Sequence, residues 1–277
     1  GTAAFHPIAS IAVTHASGDR RGFGMSFFSA GGNLGFAIGP MMAAWLMTWL
    51  GLPGTVLVIL PGLLMAAAMY VWRGEFASPV PVFGTHEPQA RGPIPWGRLS
   101  RLCAIITLRS WGYSGLVVFI PLLLHEQGVS LSLAGRALFV FLFFGALGGM
   151  LGGYLSDRIG RQQVIVASLV SFPLFMAVAM LLPDPFRWLF LAIAGISLLA
   201  SFSVTVVFAQ ELLPQHLGVA SGLTLGLSFG AGGVGVGLSG LLADLFGLQM
   251  SVWLLVLLPG IAGLIALTLS PPRDRRV

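Results

Sequence analysis

Four places in this chain hold side chains that could do chemistry in an otherwise apolar setting. The first is Gly152-Gly153-Tyr154-Leu155-Ser156-Asp157-Arg158-Ile159-Gly160-Arg161, with a long apolar run on either side. It reads as a charged hinge loop between two buried helices, and its charges at the least anchor the topology of those helices. The second is Arg109. If its helix starts at Leu99, Arg109 sits roughly 15 Å deep at 1.5 Å per residue. A charge there is costly and marks a candidate functional site, for which an anion such as a phosphonate is the natural partner. If the helix enters lipid nearer Ile105, Arg109 instead snorkels to the interface. The third is His6-Pro7, placed near mid-membrane. Pro7 leaves a carbonyl unpaired and kinks its helix, and His6 either relays protons near neutral pH or is hydrogen-bonded within the bundle. The fourth is Glu211, at the end of an apolar run. It either caps that end, where an acid is electrostatically awkward, or joins the charges of the hinge.

The elements that position these residues follow from composition. Of the 277 residues, 56% are hydrophobic and 8% charged, against about 25% charged in soluble domains. A water-facing surface cannot be built from so few charges. All the basic residues are Arg, and the formal net charge of +5 is spread over loops, so no nucleic-acid-binding face is expected. Cys103 is alone, which excludes an internal disulfide and a cysteine metal cluster. His15, His86, His125 and His216 have no metal-ligand spacing, and no phosphate-binding loop, zinc-protease motif or nucleophile elbow occurs. An enzyme, an ATP-driven pump and a cofactor-dependent protein are therefore not expected.

A bilayer-crossing helix needs about 20 apolar residues. Spans are expected over residues 1–16, two between Gly22 and Trp72 broken at Gly51-Leu52-Pro53-Gly54, then Leu99–Leu124, Leu133–Leu155, Gln163–Leu182, Trp188–Glu211, Gly218–Ala243 and Met250–Leu269. The expected architecture is an all-α integral membrane protein, because helices satisfy their own backbone groups in lipid. With the Asp157 hinge placed in the cytoplasm, Arg20, Arg21, Arg73, Arg91, Arg98, Arg101, Arg158, Arg161, Arg273, Arg275 and Arg276 share its side, and only Arg136 and Arg187 lie opposite. This positive-inside bias puts the C-terminus in the cytoplasm. The Pro- and Gly-bearing stretch between Arg73 and Arg98 reads as an irregular linker.

An internal echo runs through the chain. Arg21-Gly22 opens a glycine-rich span, and Leu217-Gly218 opens another 196 residues later. Gly31, Gly35 and Gly39 in the first span, and Gly218, Gly222, Gly226 and Gly230 in the second, fall on one helix face and predict grooves for close backbone approach. Gly145, Gly149 and Gly153 repeat the device ahead of the hinge. Weak symmetry between halves is expected of transporters built from repeats.

The order Gly153-x-Leu155-x-Asp157-Arg158-x-Gly160-Arg161 resembles the loop signature of the major facilitator superfamily. Three further stretches are similar to its fosmidomycin-resistance-protein branch: Ala4-Phe5-His6-Pro7-Ile8-Ala9-Ser10 with Ala16-Ser17-Gly18-Asp19-Arg20-Arg21-Gly22, Gly32-Asn33-Leu34-Gly35-Phe36-Ala37-Ile38-Gly39-Pro40, and Gln210-Glu211-Leu212-Leu213-Pro214 leading to Gly218-Val219-Ala220-Ser221-Gly222. Ile8 stands where the branch pattern has an acidic residue. Gly35-x-x-x-Gly39-Pro40 is similar to the antiporter motif of drug exporters.

The resemblance implies a helical bundle with nine of twelve transmembrane helices present and the first three lying upstream. Residues 1–72 would be the rest of an N-terminal bundle, 73–98 the cytoplasmic connection, 99–270 a six-helix C-terminal bundle and 271–277 a cytoplasmic tail. It implies a monomeric secondary transporter of the bacterial inner membrane, exporting a small drug or metabolite in exchange for protons, or alternatively importing a sugar or organic anion. Gly153, Asp157, Arg158, Gly160 and Arg161 would form a cytoplasmic gate lock, with Asp157 facing the start of the Gly218 helix, whose free amides carry partial positive charge.

Overall fold

The computed structural model describes residues 2–76 and 94–269. Among them every regular element is helical: α1 (Thr2–Ala16), α2 (Arg21–Leu50), a 3-10 stretch (Leu52–Val58) running into α3 (Ile59–Val71), α4 (Arg73–Phe76), α5 (Trp96–Glu126), α6 (Leu131–Ile159), α7 (Arg161–Leu181), α8 (Phe186–Leu212), α9 (Leu217–Phe246) and α10 (Leu248–Ala266). Seven helical segments among the described residues are long and apolar enough to cross a membrane, against the nine spans expected. The other two expected spans are also helical, α1 with 15 residues and α2 with 30, but are not among those seven. The expected break after α2 falls at Gly51, whose φ of 69° is glycine territory.

The linker expected between Arg73 and Arg98 is narrower than the sequence suggested. Arg73–Phe76 is a helical turn and α5 already begins at Trp96. Residues 77–93, with His86 and Arg91, lie outside the described residues, as do the tail from 270 and its Arg273, Arg275 and Arg276.

The chain forms two compact units, residues 1–31 with 93–277, and residues 32–92. In the smaller unit the Leu52–Val71 segment turns large apolar side chains outward, among them Leu63, Leu64 and Val71. The larger unit is built around α8. About 72% of its most apolar window is buried, against 28–50% in α5, α6, α7, α9 and α10, so α8 is the one helix shielded on nearly every side. Its neighbours contribute Ile105 and Leu116 (α5), Phe141 (α6), Ile165, Leu169 and Phe172 (α7) and Leu255 (α10) to one core, with Leu198 and Phe208 of α8. Leu174, Leu181, Leu241, Leu245 and Leu264 face outward, while Ser, Thr, Arg109 and Gln210 are buried. Leucines outside and hydroxyls inside is a distribution suited to hydrocarbon as solvent.

Glycine sets how near the helices come. A Cβ built on Gly148 or Gly152 of α6 would lie 2.2 Å from the Ile196 carbonyl oxygen or 2.0 Å from that of Ala200, so α6 and α8 meet backbone to backbone. Prolines inside helices are received the same way. Pro259 of α10 sits on Gly112 of α5, and Pro173 of α7 sits on Gly260 of α10. The expected grooves behave differently. Gly31, Gly35, Gly39, Gly222, Gly226 and Gly230 have open space beside them. Close approach on α9 belongs instead to Gly232, against Ser114, and Gly235, against Trp111. Every-fourth spacing identifies a face, but the large neighbour that fills it decides where contact occurs.

Candidate functional site: a helix-end lock and a buried arginine

The hinge is almost entirely helix. α6 continues through Ile159 and α7 starts at Arg161, so Gly160 alone joins them, at φ 103°. The loop expected over residues 152–161 is absent because Gly152 and Gly153 are held in helix by tight neighbours, Ala200 on one side and Gly22 and Ser26 on the other. Asp157 thus projects from the last turn of α6 and Arg161 from the first residue of α7.

Asp157 faces α2, not the start of α9 as expected. Its Oδ1 accepts from the Gly22 amide at 3.0 Å and its Oδ2 from the Phe23 amide at 2.9 Å. The reason is the contact one turn earlier: a Cβ on Gly153 would lie 2.3 Å from the Gly22 carbonyl oxygen, which fixes α6 against the start of α2. The first amides of a helix have no intrahelical acceptor; the backbone takes over only at Gly24, which donates to the Arg20 carbonyl. A carboxylate from another helix therefore caps α2, aligned with its dipole.

Arg161 holds this carboxylate and reaches further. Nη1 donates to Asp157 Oδ1 and to Ser156 Oγ, the latter at 2.7 Å. Nε and Nη2 both donate to Glu211 Oε1, at 3.2 and 3.1 Å. Glu211 of α8 thereby joins the cluster, and its awkward position at a helix C-terminus is offset by the guanidinium. Arg158 does not join. It is exposed and lies over the Tyr154 ring, 4.4 Å from the centroid.

Beside the lock runs a buried, uncharged bridge that spacing and composition did not single out. Thr14 Oγ1 of α1 donates to Gln210 Oε1 of α8 at 2.8 Å, and Gln210 Nε2 donates to Ser221 Oγ of α9 at 2.9 Å. The signal was present: Thr14 and Gln210 are 196 residues apart, the offset of the internal echo.

Arg109 is buried, with 2% of its surface exposed, which excludes snorkelling. It lies 13 residues after Trp96 and 17 before Glu126 (109 − 96 and 126 − 109), close to the middle of α5. Nη1 donates to Thr205 Oγ1 at 3.3 Å; Nη2 donates to Ser110 Oγ at 3.2 Å and Ser228 Oγ at 3.1 Å. Its guanidinium carbon lies 4.8 Å from the Phe202 ring centroid. No carboxylate pairs with it among the described residues. The group lines a cavity of about 40 Å³ with Tyr113, Ser114 and Phe229.

His6 is half-buried in an aromatic nest. Its ring centroid is 5.7 Å from Phe5, 6.0 Å from Phe28 and 6.0 Å from Phe229, so one ring separates it from the cavity wall. α1 is helical on both sides of Pro7. Pro40 likewise lies within the unbroken run of α2. Among the described residues no cluster of His, Cys, Asp or Glu is arranged to hold a metal ion.

Seven described helical segments long and apolar enough to cross a membrane define a multi-pass membrane protein. Comparison with known proteins gives the family: a model of the Major Facilitator Superfamily matches residues 1–224 and 102–277, and the chain belongs to that superfamily. It is 36% identical to an uncharacterized MFS-type transporter of Bacillus subtilis, YfnC, over all of this chain and 69% of the relative. It is 30% identical to the fosmidomycin resistance protein of Escherichia coli over 99% of this chain and 69% of the relative. It is also 30% identical to a probable nitrate/nitrite transporter of Mycobacterium tuberculosis, NarK2, over 78% of this chain and 55% of the relative. The protein is a secondary transporter by family, a class that binds small molecules in a bilayer and is not enzymatic.

Proposed function

We propose that the protein exports a small drug or metabolite, of the fosmidomycin kind, in exchange for protons across the bacterial inner membrane. The single observation that supports this most is the Arg161 clamp. One guanidinium ties the carboxylate that caps α2 to a second carboxylate on α8. A polar cluster at helix ends, reachable by water and made of breakable ion pairs, suits a gate that opens in every cycle. In this reading the Asp157 end is cytoplasmic, together with the C-terminus, and the closed lock belongs to the outward-facing state. Residues 1–72 and 99–270 belong to two bundles joined through 73–98, and these rock to expose the substrate alternately. His6 carries the coupling proton, and Gly35, Gly39 and Pro40 shape the exchange pathway. The transporter is monomeric.

The test is fosmidomycin susceptibility of a drug-sensitive bacterium expressing the protein, with and without a protonophore. Resistance abolished by the protonophore is expected. Unchanged susceptibility, with the protein verified in the membrane, refutes this substrate. Uptake of an anion is the second reading, favoured by the cation buried at Arg109. The direction of flux under an imposed pH gradient decides between them.

A further inference from the structure

We infer that Arg109 anchors an oxyanion subsite, in which its guanidinium, beside Tyr113 and Ser114, receives the anionic head of the transported molecule. The inference rests on the transporter reading and names the chemistry of its substrate.

Charge balance is the first argument. A guanidinium stays protonated under all working conditions, and a buried charge is costly unless paired. Among the residues of this unit whose side chains are described, the carboxylates all stand at or near helix ends or in turns: Asp19, Glu126, Asp157, Asp184, Glu211 and Asp244. None is within reach of the middle of α5 as an ion-pair partner. Three neutral hydroxyls hold Arg109 in place, but a hydroxyl does not cancel its charge. Among the described residues the charge of Arg109 is therefore left without a counter-charge, which a mobile anion would supply.

Geometry is the second argument. The three hydroxyl bonds come from different helices, Ser110 on α5, Thr205 on α8 and Ser228 on α9, so the fork is held from several directions while it borders a cavity. A held guanidinium loses little freedom on binding, and after its three hydroxyl bonds Nε–H and one Nη1–H remain to donate to an anion. Tyr113 and Ser114 line the same cavity. A water needs about 10–15 Å³ of such space, so the 40 Å³ cavity accommodates a small head and not a whole drug. Phe202 and Phe229 wall it with rings, which suits the apolar remainder of the molecule.

The experiment is equilibrium binding to the purified full chain in detergent. The probes are methylphosphonate, nitrate and the uncharged dimethyl methylphosphonate. Methylphosphonate is expected to bind at least tenfold more tightly than its neutral ester, the size of one charge-assisted hydrogen bond. R109Q is expected to erase that preference and R109K to keep part of it. Preference for nitrate over methylphosphonate would uphold the subsite and assign it a planar head. No preference for either anion over the ester in the unaltered protein overturns the inference, as does a folded R109Q that keeps the preference. If R109Q does not fold, the comparison of charged and neutral probes on the unaltered protein decides alone. Oxyanion binding without proton-driven flux would fail the transporter reading and keep the subsite; flux of an uncharged drug without oxyanion binding would do the reverse.

Discussion

Asp157→Asn tests the lock most directly, because the substitution keeps shape and removes charge. The unaltered carboxylate accepts two backbone amides of α2, at 3.0 and 2.9 Å, and is paired with Arg161, the two side chains being only 12% and 13% exposed. An asparagine can accept one of those amides; its NH₂ group then faces the other. The change removes one hydrogen bond to a charged group, about 1.5–3 kcal/mol, and the anion at a helix N-terminus, about 0.3–1 kcal/mol. The two losses overlap, so a combined figure of about 3 kcal/mol is reasonable, near a hundredfold in equilibrium. The assay is backbone amide exchange at Gly22 and Phe23, which rely on Asp157 because the backbone supplies an acceptor only from Gly24 onward. Exchange at these two positions should rise about a hundredfold while amides in mid-α7 remain unchanged. Exchange within threefold of the unaltered protein, roughly 0.6 kcal/mol, would refute the cap. Transport should fall with the same variant, and normal flux despite faster exchange would separate the cap from the gate.

Further outcomes follow from neighbouring features. Gly148→Ala should lower thermal stability in detergent by about 1–3 kcal/mol, since its Cβ meets the Ile196 carbonyl, whereas Gly222→Ala, which meets nothing, should be neutral or slightly stabilising; equal melting of the two would contradict this account of the helix contacts. Arg161→Gln should abolish transport while Arg158→Gln leaves it near normal, because only Arg161 touches Glu211; a flux assay showing equal losses would oppose it. Thr14→Val and Gln210→Leu should show a coupling of about 0.6 kcal/mol, and no more than about 1.7, in a double-mutant cycle of stability, the range of polar contacts between membrane helices. Additive losses would mean that the bridge is incidental.

How much of this could be read in advance varied with the kind of signal. Long apolar runs carry helices reliably because lipid leaves the backbone no other solution, and the motif around Asp157 marks one end of the Asp157–Arg161–Glu211 cluster. Its partner was misassigned. The echo made the starts of α2 and α9 look equivalent, and only the Gly153–Gly22 contact selects α2. The hinge read as a loop because Gly152, Gly153 and Gly160 resemble breakers, yet two of them serve close approach and only Gly160 takes a backbone angle that demands glycine. Sequence places Arg109 at either of two depths because it does not show where lipid begins; burial against α8 and α9 removes the snorkelling alternative. Its three hydroxyl partners come from residues as far as 119 positions away, beyond anything that a local pattern can show.

The Thr14–Gln210 hydrogen bond has a geometrical consequence. The two positions are separated by the 196 residues of the internal echo. Equivalent residues of two copies related by a twofold operation can touch each other only near its axis. In a symmetric dimer a residue at such a point meets its own duplicate and must complement itself. Where both copies belong to one polypeptide, that restriction is lifted. Here a hydroxyl and a carboxamide, each suited to the other and neither obliged to suit itself, meet across positions separated by the offset of the echo.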